Sequence, residues 1–130
     1  MTWQILEGKN KICMSLFEAV TAVDAGPIYA QQWVELDGTE LVDEWRAKQV
    51  AVTQSLCIDW VTAFPASAVK SKAQFGEESY YRRRNAEDSR LDLDQSLREQ
   101  FNLLRVVDNQ RYPAFFELNE ERYQLLIEKI

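Results

Sequence analysis

The chain has 130 residues, of which 46% are hydrophobic and 12% aromatic, and this composition can form one folded domain with a buried core. The formal net charge of −6 argues against a nucleic-acid backbone or an anionic membrane as the main partner, because both attract positively charged proteins. The sequence contains no histidine, which excludes Ser-His-Asp and Cys-His nucleophile systems and histidine-ligated metal sites within these residues.

The two cysteines and the N-terminus give no sign of disulfides or targeting. Cys13 and Cys57 lie in apolar contexts without CxxC spacing, so the sequence predicts two buried free thiols. No stretch approaches the roughly 18 apolar residues of a membrane-spanning helix, and the N-terminus has no apolar signal region. We therefore expect a cytoplasmic protein with no membrane partner.

Two strands are predicted in the first third of the chain. In residues 11–19 both alternating sets of positions are largely apolar, which is typical of a strand in the interior of a sheet. Residues 27–36 alternate again, with Pro27 at the first position, where a missing N–H costs least. Between these strands, Asp24 precedes a predicted tight turn at Gly26 and Pro27.

A long helix is predicted from residue 41 until Pro65 ends it. Apolar side chains recur about once per helical turn and predict one buried face. These residues are Leu41, Trp45, Val52, Leu56 and Trp60. Asp37 or Thr39 is the expected N-cap, because both have a short side chain with an oxygen that can accept a backbone N–H.

A charged loop and a second helix are predicted next. Residues 77–94 have the densest charge in the chain and are expected to form an ordered loop, because tyrosine and leucine side chains within it can pack. Ser96 and Glu99 have the spacing of a capping box, which predicts a helix over residues 96–107.

The C-terminus is predicted to form a β-hairpin, with strands at residues 114–118 and 122–130. The predicted fold class is α/β, with two central strands, a long helix, a linker loop, and then a helix and the hairpin. We expect one part at residues 1–76 and a smaller C-terminal subdomain at residues 77–130.

Asp24 is the one carboxylate to which the sequence assigns a defined geometry. It stands at a tight turn in which Gly26 is expected to adopt a backbone angle closed to other residues, and Pro27 begins the next strand. Asp and Gly also occur in turns for purely conformational reasons, so this pattern by itself is weak. Paired carboxylates such as Glu87 and Asp88 are more typical of a solvated surface.

Several segments, taken in order, resemble one protein family. Asp24-Ala25-Gly26-Pro27-Ile28 resembles the catalytic-aspartate turn of the folate-dependent formyltransferases. Residues 81–92 resemble the Arg-Arg-x-x-x-Asp-Ser-x-Leu-Asp signature of the nucleotide-sugar members. Further similar segments are residues 3–8, 16–19, 101–107 and 112–116. The chain thus resembles the C-terminal half of a formyltransferase of the sugar-modifying type.

This resemblance implies transfer of a formyl group from N10-formyltetrahydrofolate to the amine of an amino-sugar nucleotide. In the family, an asparagine and a histidine stabilise the tetrahedral oxyanion, and an aspartate helps to take the proton from the attacking amine. Only the aspartate has a counterpart here, at Asp24. The asparagine, the histidine and most of the folate site are expected to precede Met1, so the chain by itself is expected to be inactive.

The resemblance also implies roles for two arginines. Arg83 and Arg84 match the signature, and we expect them either to meet a substrate phosphate or to brace the connection to the terminal helix. For Arg82 and Arg90 we expect ion pairs on a solvated, salt-bridged loop.

Two other functions stay open. A methionyl-tRNA formyltransferase fragment is disfavoured, because such enzymes add a basic C-terminal domain for tRNA and this chain is acidic. The other alternative is a non-catalytic binding or assembly module. The expected small-molecule partner is the amino-sugar nucleotide, with no nucleic acid. The terminal hairpin and an apolar sheet edge both favour pairing, which would allow a homo-oligomer.

Overall fold

The structure is a computed structural model that describes residues 1–77 and 79–130. Glu78, which falls within the predicted charged loop, lies outside the described residues. The chain forms a small α/β fold with two hairpins, one long helix and shorter helices. In order, the elements are α1 (Thr2–Leu6), β1 (Lys11–Phe17), β2 (Ile28–Glu35), α2 (Val42–Thr62), α3 (Phe101–Val106), β3 (Ala114–Leu118) and β4 (Glu121–Leu125), with two 3₁₀ helices at Ala66–Val69 and Ala86–Ser89.

The described residues divide between two units, each built from separate stretches of the chain, and α2 contributes residues to both. Unit one contains residues 1–10, 36–45 and 81–130. Unit two contains residues 11–35 and 46–80. The sequence-based boundary between residues 76 and 77 stays a prediction.

Unit two contains the β1–β2 hairpin, in which the strands are antiparallel. Ile12 lies opposite Val34, and both are buried. The two strands are confirmed, but within the described part of the chain β1 pairs only with β2, in a two-stranded sheet rather than the interior of a larger one. The prediction of an interior strand assumed that apolar residues on both faces of β1 are all buried. In the structure only some of them, such as Ile12, are buried.

Helix α2 confirms the predicted buried face. Trp45 and Leu56 are each 4% exposed, and the other three residues of the face are half-buried. The predicted N-cap is wrong, because the Asp37 carboxylate instead accepts the N–H and hydroxyl of Thr39 in a local turn. The N–H of Leu41, next to the first helical residue, donates to a carboxylate oxygen of Glu44 at 2.9 Å. Among the described residues, no helix combines the length and apolar character needed to cross a bilayer.

The predicted burial of both cysteines is only half right. Both thiols are free, and Cys13 is partly buried in β1. Cys57 is exposed on α2, because it lies next to Leu56 and therefore about 100° around the helix from the buried face.

Unit one has its core around α3 and the second hairpin. The buried residues Leu91, Leu104, Val107 and Ala114 form one cluster, against which further apolar side chains pack. The predicted capping box is present, since the Ser96 N–H donates to Glu99 at 2.8 Å and the Glu99 N–H donates to the Ser96 hydroxyl at 3.3 Å. It caps turns that lead into α3, so the regular helix begins later than predicted, at Phe101.

The C-terminal hairpin is confirmed, although β4 ends at Leu125 rather than at residue 130. Its two turn residues, Asn119 and Glu120, have φ angles of 53° and 67°. Two successive residues with positive φ are the requirement of a type I′ turn, whose twist matches that of the flanking strands.

A buried ion pair lies at the centre of unit one. Arg105 is 1% exposed, and its guanidinium donates to a Glu40 carboxylate oxygen at 3.4 Å and to the Glu40 carbonyl at 3.3 Å. The remaining guanidinium nitrogen donates to the side-chain oxygens of Asn10 at 3.0 Å and Asn102 at 3.1 Å. The Arg105 carbonyl accepts the indole N–H of Trp45 at 2.9 Å. One side chain thus joins all three stretches of unit one.

Candidate functional site

Asp24 lies in the loop between β1 and β2 and is exposed to solvent. The preceding strand, β1, ends at Phe17, so Asp24 lies within the connection between the strands, as the sequence predicted. Within residues 1–77 and 79–130, the Asp24 carboxylate forms no hydrogen bond or ion pair. No contact within the described residues therefore has to break before another group can bind this carboxylate. The φ angle of Asp24 is 54°, which places its backbone in the left-handed region.

Gly26 is needed in this loop, but not for the predicted reason. The residue with positive φ is Asp24, and Gly26 is not among the glycines that have one. A Cβ atom on Gly26 would lie 1.8 Å from the carbonyl oxygen of Glu18, far inside van der Waals contact. The loop closes here, because the Glu18 N–H donates to the Pro27 carbonyl at 3.0 Å. Glycine is required for the close approach of two backbone segments.

A second contact holds the same loop from a distant part of unit two. The side-chain amide of Gln74 donates to the carbonyl oxygen of Asp24 at 2.7 Å and to that of Gly26 at 2.6 Å. The backbones of Ile28 and Lys72 exchange two hydrogen bonds, of 2.7 and 2.8 Å. An isolated glutamine in a polar connection has no sequence signal, so this residue was missed.

Arg84 is half-buried and binds backbone rather than solvent. Its guanidinium donates to the carbonyl of Val106 at 3.3 Å and to that of Asp88 at 2.8 Å. Burial lowers the pKa of Arg84 from its usual value. This geometry favours the bracing role, since the contacts tie the arginine-rich loop to the last residue of α3. A role in substrate binding stays a prediction.

Arg83 is exposed and points no guanidinium nitrogen at a hydrogen-bond or ion-pair partner in the described part of the chain. A guanidinium in this state can bind a phosphate without first breaking an internal contact. Its role in substrate binding also stays a prediction.

Arg82 and Arg90 form ion pairs, as the interpretation of a salt-bridged loop requires. Arg82 binds the Asp88 carboxylate with both terminal nitrogens, one of them at 2.8 Å. Its guanidinium also lies 5.1 Å from the ring centre of Trp3, which stacks on Tyr81. Arg90 pairs with Glu117 at 2.7 Å, which is outside the loop and could not be chosen from sequence.

Asp88→Asn is expected to remove an acid-dependent part of the stability of unit one. The hydrogen bond from Arg82 lowers the pKa of Asp88 from 3.8 to about 2 in the folded chain. An unfolded chain keeps the ordinary value of about 3.9, so this stabilisation is present above about pH 4 and is lost as pH falls through about 2.

Urea unfolding midpoints at several pH values in this window test the prediction. They should fall more steeply with acidification for the wild type than for Asp88→Asn. Asp94→Asn, which changes an exposed carboxylate, should keep the wild-type slope. Equal slopes for the wild type and Asp88→Asn would contradict the assignment.

A cleft of about 310 Å³ in unit two was also missed by the sequence analysis. Its walls come from β2, α2 and the 3₁₀ helix that follows; they include Tyr29, Gln32, Leu56, Asp59, Trp60 and Lys70. Ser55 and Asp59 share one face of α2, and both accept from the Gln32 amide, at 3.5 and 3.3 Å. The four-residue spacing of Ser55 and Asp59 on α2 could be seen in the sequence, but their pairing with Gln32 on the strand could not. The lining includes neither Asp24 nor the two signature arginines.

The amino-acid sequence is similar to that of a curated methionyl-tRNA formyltransferase. No family model matches the chain. A curated relative, methionyl-tRNA formyltransferase of Thermodesulfovibrio yellowstonii, is 23% identical over 127 residues, which are 95% of this chain and 40% of the relative. The chain therefore spans well under two thirds of the length of this relative.

Solved structures give the same relationship. Methionyl-tRNA formyltransferase from Clostridium thermocellum superposes with a TM-score of 0.67 at 23% identity, over 93% of this chain and 52% of that one. A Mycobacterium tuberculosis protein described as a proposed sugar N-formyltransferase gives 0.74 at 18% identity, over 97% and 56%. A variant of HypX from Aquifex aeolicus gives 0.77 at 19% identity, over 97% and 23%.

These matches cover nearly all of this chain and only part of each longer protein. The chain resembles the formyltransferase family in sequence and has the fold of a part of its members.

Proposed function

We propose that this chain is part of a formyltransferase that transfers a formyl group from N10-formyltetrahydrofolate to the amine of an amino-sugar nucleotide. The observation that carries the proposal is the Asp24 carboxylate, which has no partner among the described residues of a chain that superposes over 97% of its length on a protein described as a proposed sugar N-formyltransferase. The formyltetrahydrofolate donor supplies the one-carbon group. The contribution of this chain is on the acceptor side of the reaction.

In this proposal Asp24 is the proton acceptor. The amine nitrogen bonds to the formyl carbon to give a tetrahedral intermediate and loses a proton. The bond from that carbon to the donor nitrogen then breaks, and the donor nitrogen takes up a proton as it leaves. A carboxylate within hydrogen-bond reach of the amine can take the proton that the amine loses. Asp24 fits, because it is exposed and its carboxylate is not bound to a cation in the described residues.

The oxyanion requires groups from outside this sequence. A developing negative charge on the formyl oxygen needs preorganised donors about 3 Å away. In the resembling family these are an asparagine and a histidine, and the present sequence has no histidine. The proposal therefore includes a further polypeptide segment that brings Asn-x-His-Pro next to Asp24.

The acceptor is proposed to be a nucleotide sugar rather than tRNA. Arg83 is the exposed guanidinium that would meet a phosphate of the nucleotide, because Arg84 is engaged with backbone carbonyls. The alternative, methionyl-tRNA, is favoured by the names of two of the matched proteins. The net charge of −6 opposes it, since binding of tRNA depends on contacts between basic residues and phosphates. The remaining alternative is a non-catalytic binding or assembly module.

The 130-residue chain alone is expected to have no formyltransferase activity. Without a histidine, the oxyanion would lack one of its stabilising groups. The measurement is formation of formylated product from N10-formyltetrahydrofolate and an amino-sugar nucleotide, with an intact formyltransferase as the positive control. Turnover by a preparation free of any full-length enzyme would contradict the prediction.

The proposal itself is tested by adding the missing groups. A rebuilt enzyme, in which this chain is joined to a formyltransferase segment that carries Asn-x-His-Pro, should transfer formyl groups to an amino-sugar nucleotide. Formylation of methionyl-tRNA alone would support the alternative substrate. A folded rebuilt protein without either activity would support the non-catalytic module.

A further inference from the structure

We propose that Gln74 is a positioning residue for Asp24, because its side-chain amide fixes the backbone of the loop that presents the carboxylate. The catalytic meaning of this inference rests on the proposed function. The positioning itself is a property of unit two and can be measured in the chain alone.

The geometry of the amide carries the inference. Its nitrogen has two protons, and it lies 2.7 Å from the carbonyl oxygen of Asp24 and 2.6 Å from that of Gly26. Each proton can therefore be used by one carbonyl. The Asp24 carbonyl belongs to the peptide plane between residues 24 and 25, and the Gly26 carbonyl belongs to the plane between residues 26 and 27. One side chain therefore orients the peptide planes at both ends of the turn.

The conformation that is held in this way is an uncommon one. Asp24 has a φ of 54°, which few residues with a Cβ adopt. Such a conformation persists where surrounding contacts determine it, and it is concentrated at functional sites. The contacts at Gly26 and Pro27 close only the base of the loop, against Glu18. Among the described residues, Gln74 supplies the side-chain contact to the carbonyl of Asp24 itself.

Gln74 is in turn anchored. It lies two residues after Lys72, whose backbone exchanges hydrogen bonds of 2.7 and 2.8 Å with Ile28 at the start of β2. The position of the amide relative to the loop is thus fixed by a backbone bridge to the same hairpin.

A neutral amide suits this position chemically. It binds the loop through carbonyl oxygens and leaves the Asp24 carboxylate without a charged partner in the described residues. A lysine or arginine here would introduce a positive charge on the side chain that holds the loop, and this charge could pair with the carboxylate. The arrangement therefore holds the backbone and keeps the side chain free to react.

The first test uses two variants of the intact 130-residue chain. Gln74→Ala removes the whole amide, and Gln74→Glu keeps the side-chain length but replaces the two donor protons with acceptors. Both variants should weaken the strong amide-to-α-proton NOE within Asp24 that positive φ produces, and both should increase fast backbone motion in residues 21–26. Gln54→Ala, which changes an exposed glutamine on α2, is the matched control and should leave these signals unchanged.

The outcomes separate this inference from the proposed function. If the Asp24 signals are unchanged in Gln74→Ala and Gln74→Glu, the inference is overturned, whatever the activity of the rebuilt enzyme. If they change while the thermal midpoint stays near the wild-type value, the positioning role is supported.

In the rebuilt enzyme, Gln74→Glu should then lower kcat about tenfold to a hundredfold, the scale of a misplaced catalytic group. A loosened loop with unchanged kcat would remove Asp24 from the proposed mechanism and leave the positioning role intact.

Discussion

In a formyltransferase rebuilt around this chain, Asp24→Asn is expected to lower turnover by about two to four orders of magnitude, the usual effect of losing an acid/base participant. The amide of asparagine has nearly the same shape as the carboxylate but cannot accept the proton of the amine. Asparagine also tolerates the left-handed backbone that Asp24 adopts, so the loop should keep its conformation. Substrate binding should change little.

Steady-state kinetics with the amino-sugar nucleotide provide the measurement. Asp94→Asn removes another exposed carboxylate and should retain wild-type turnover. A wild-type rate for Asp24→Asn would show that Asp24 serves only the turn.

The second large effect is expected on stability, at the buried ion pair of unit one. Arg105→Met should lower the free energy of unfolding by about 3–5 kcal/mol, because it removes the buried guanidinium that pairs with the buried Glu40 carboxylate. Arg105→Lys keeps the charge but cannot reach Glu40, Asn10 and Asn102 together, so its effect should be intermediate.

Urea unfolding followed by tryptophan fluorescence measures the loss. Arg90→Met is the matched control, since Arg90 pairs with Glu117 at a surface where such contacts contribute about 0–1 kcal/mol. A loss below about 1 kcal/mol for Arg105→Met would mean that the ion pair contributes no more than a surface pair.

Features encoded by neighbouring residues were predictable from sequence. The capping box at Ser96 and Glu99 needs only a spacing of three residues, and the structure contains both of its hydrogen bonds. The buried face of α2 follows from helical periodicity in the same way. Both patterns are set by the spacing of residues along a single segment of the chain.

Features that depend on distant residues were not predictable. Arg105 resembles any polar residue of a short helix until Glu40, 65 positions away, is placed next to it. Gly26 shows the same limit, because a glycine in a turn suggests positive φ, and the close approach of Glu18 is visible only in three dimensions. At the candidate site, the sequence indicated Asp24 through a family resemblance but gave no sign of Gln74.

Unit one is assembled from segments that are far apart in the sequence, and this affects the order in which its contacts form during synthesis. The indole of Trp3 bonds to the carbonyl of Arg82, 79 positions later, and the side chain of Asn10 bonds to Arg105, 95 positions later. Contacts at such separation form slowly, because a long loop must close before they contribute. These contacts of residues 1–10 can therefore form only after most of the chain has been synthesised. The strands β1 and β2 can pair earlier, as soon as the hairpin that contains them has left the ribosome.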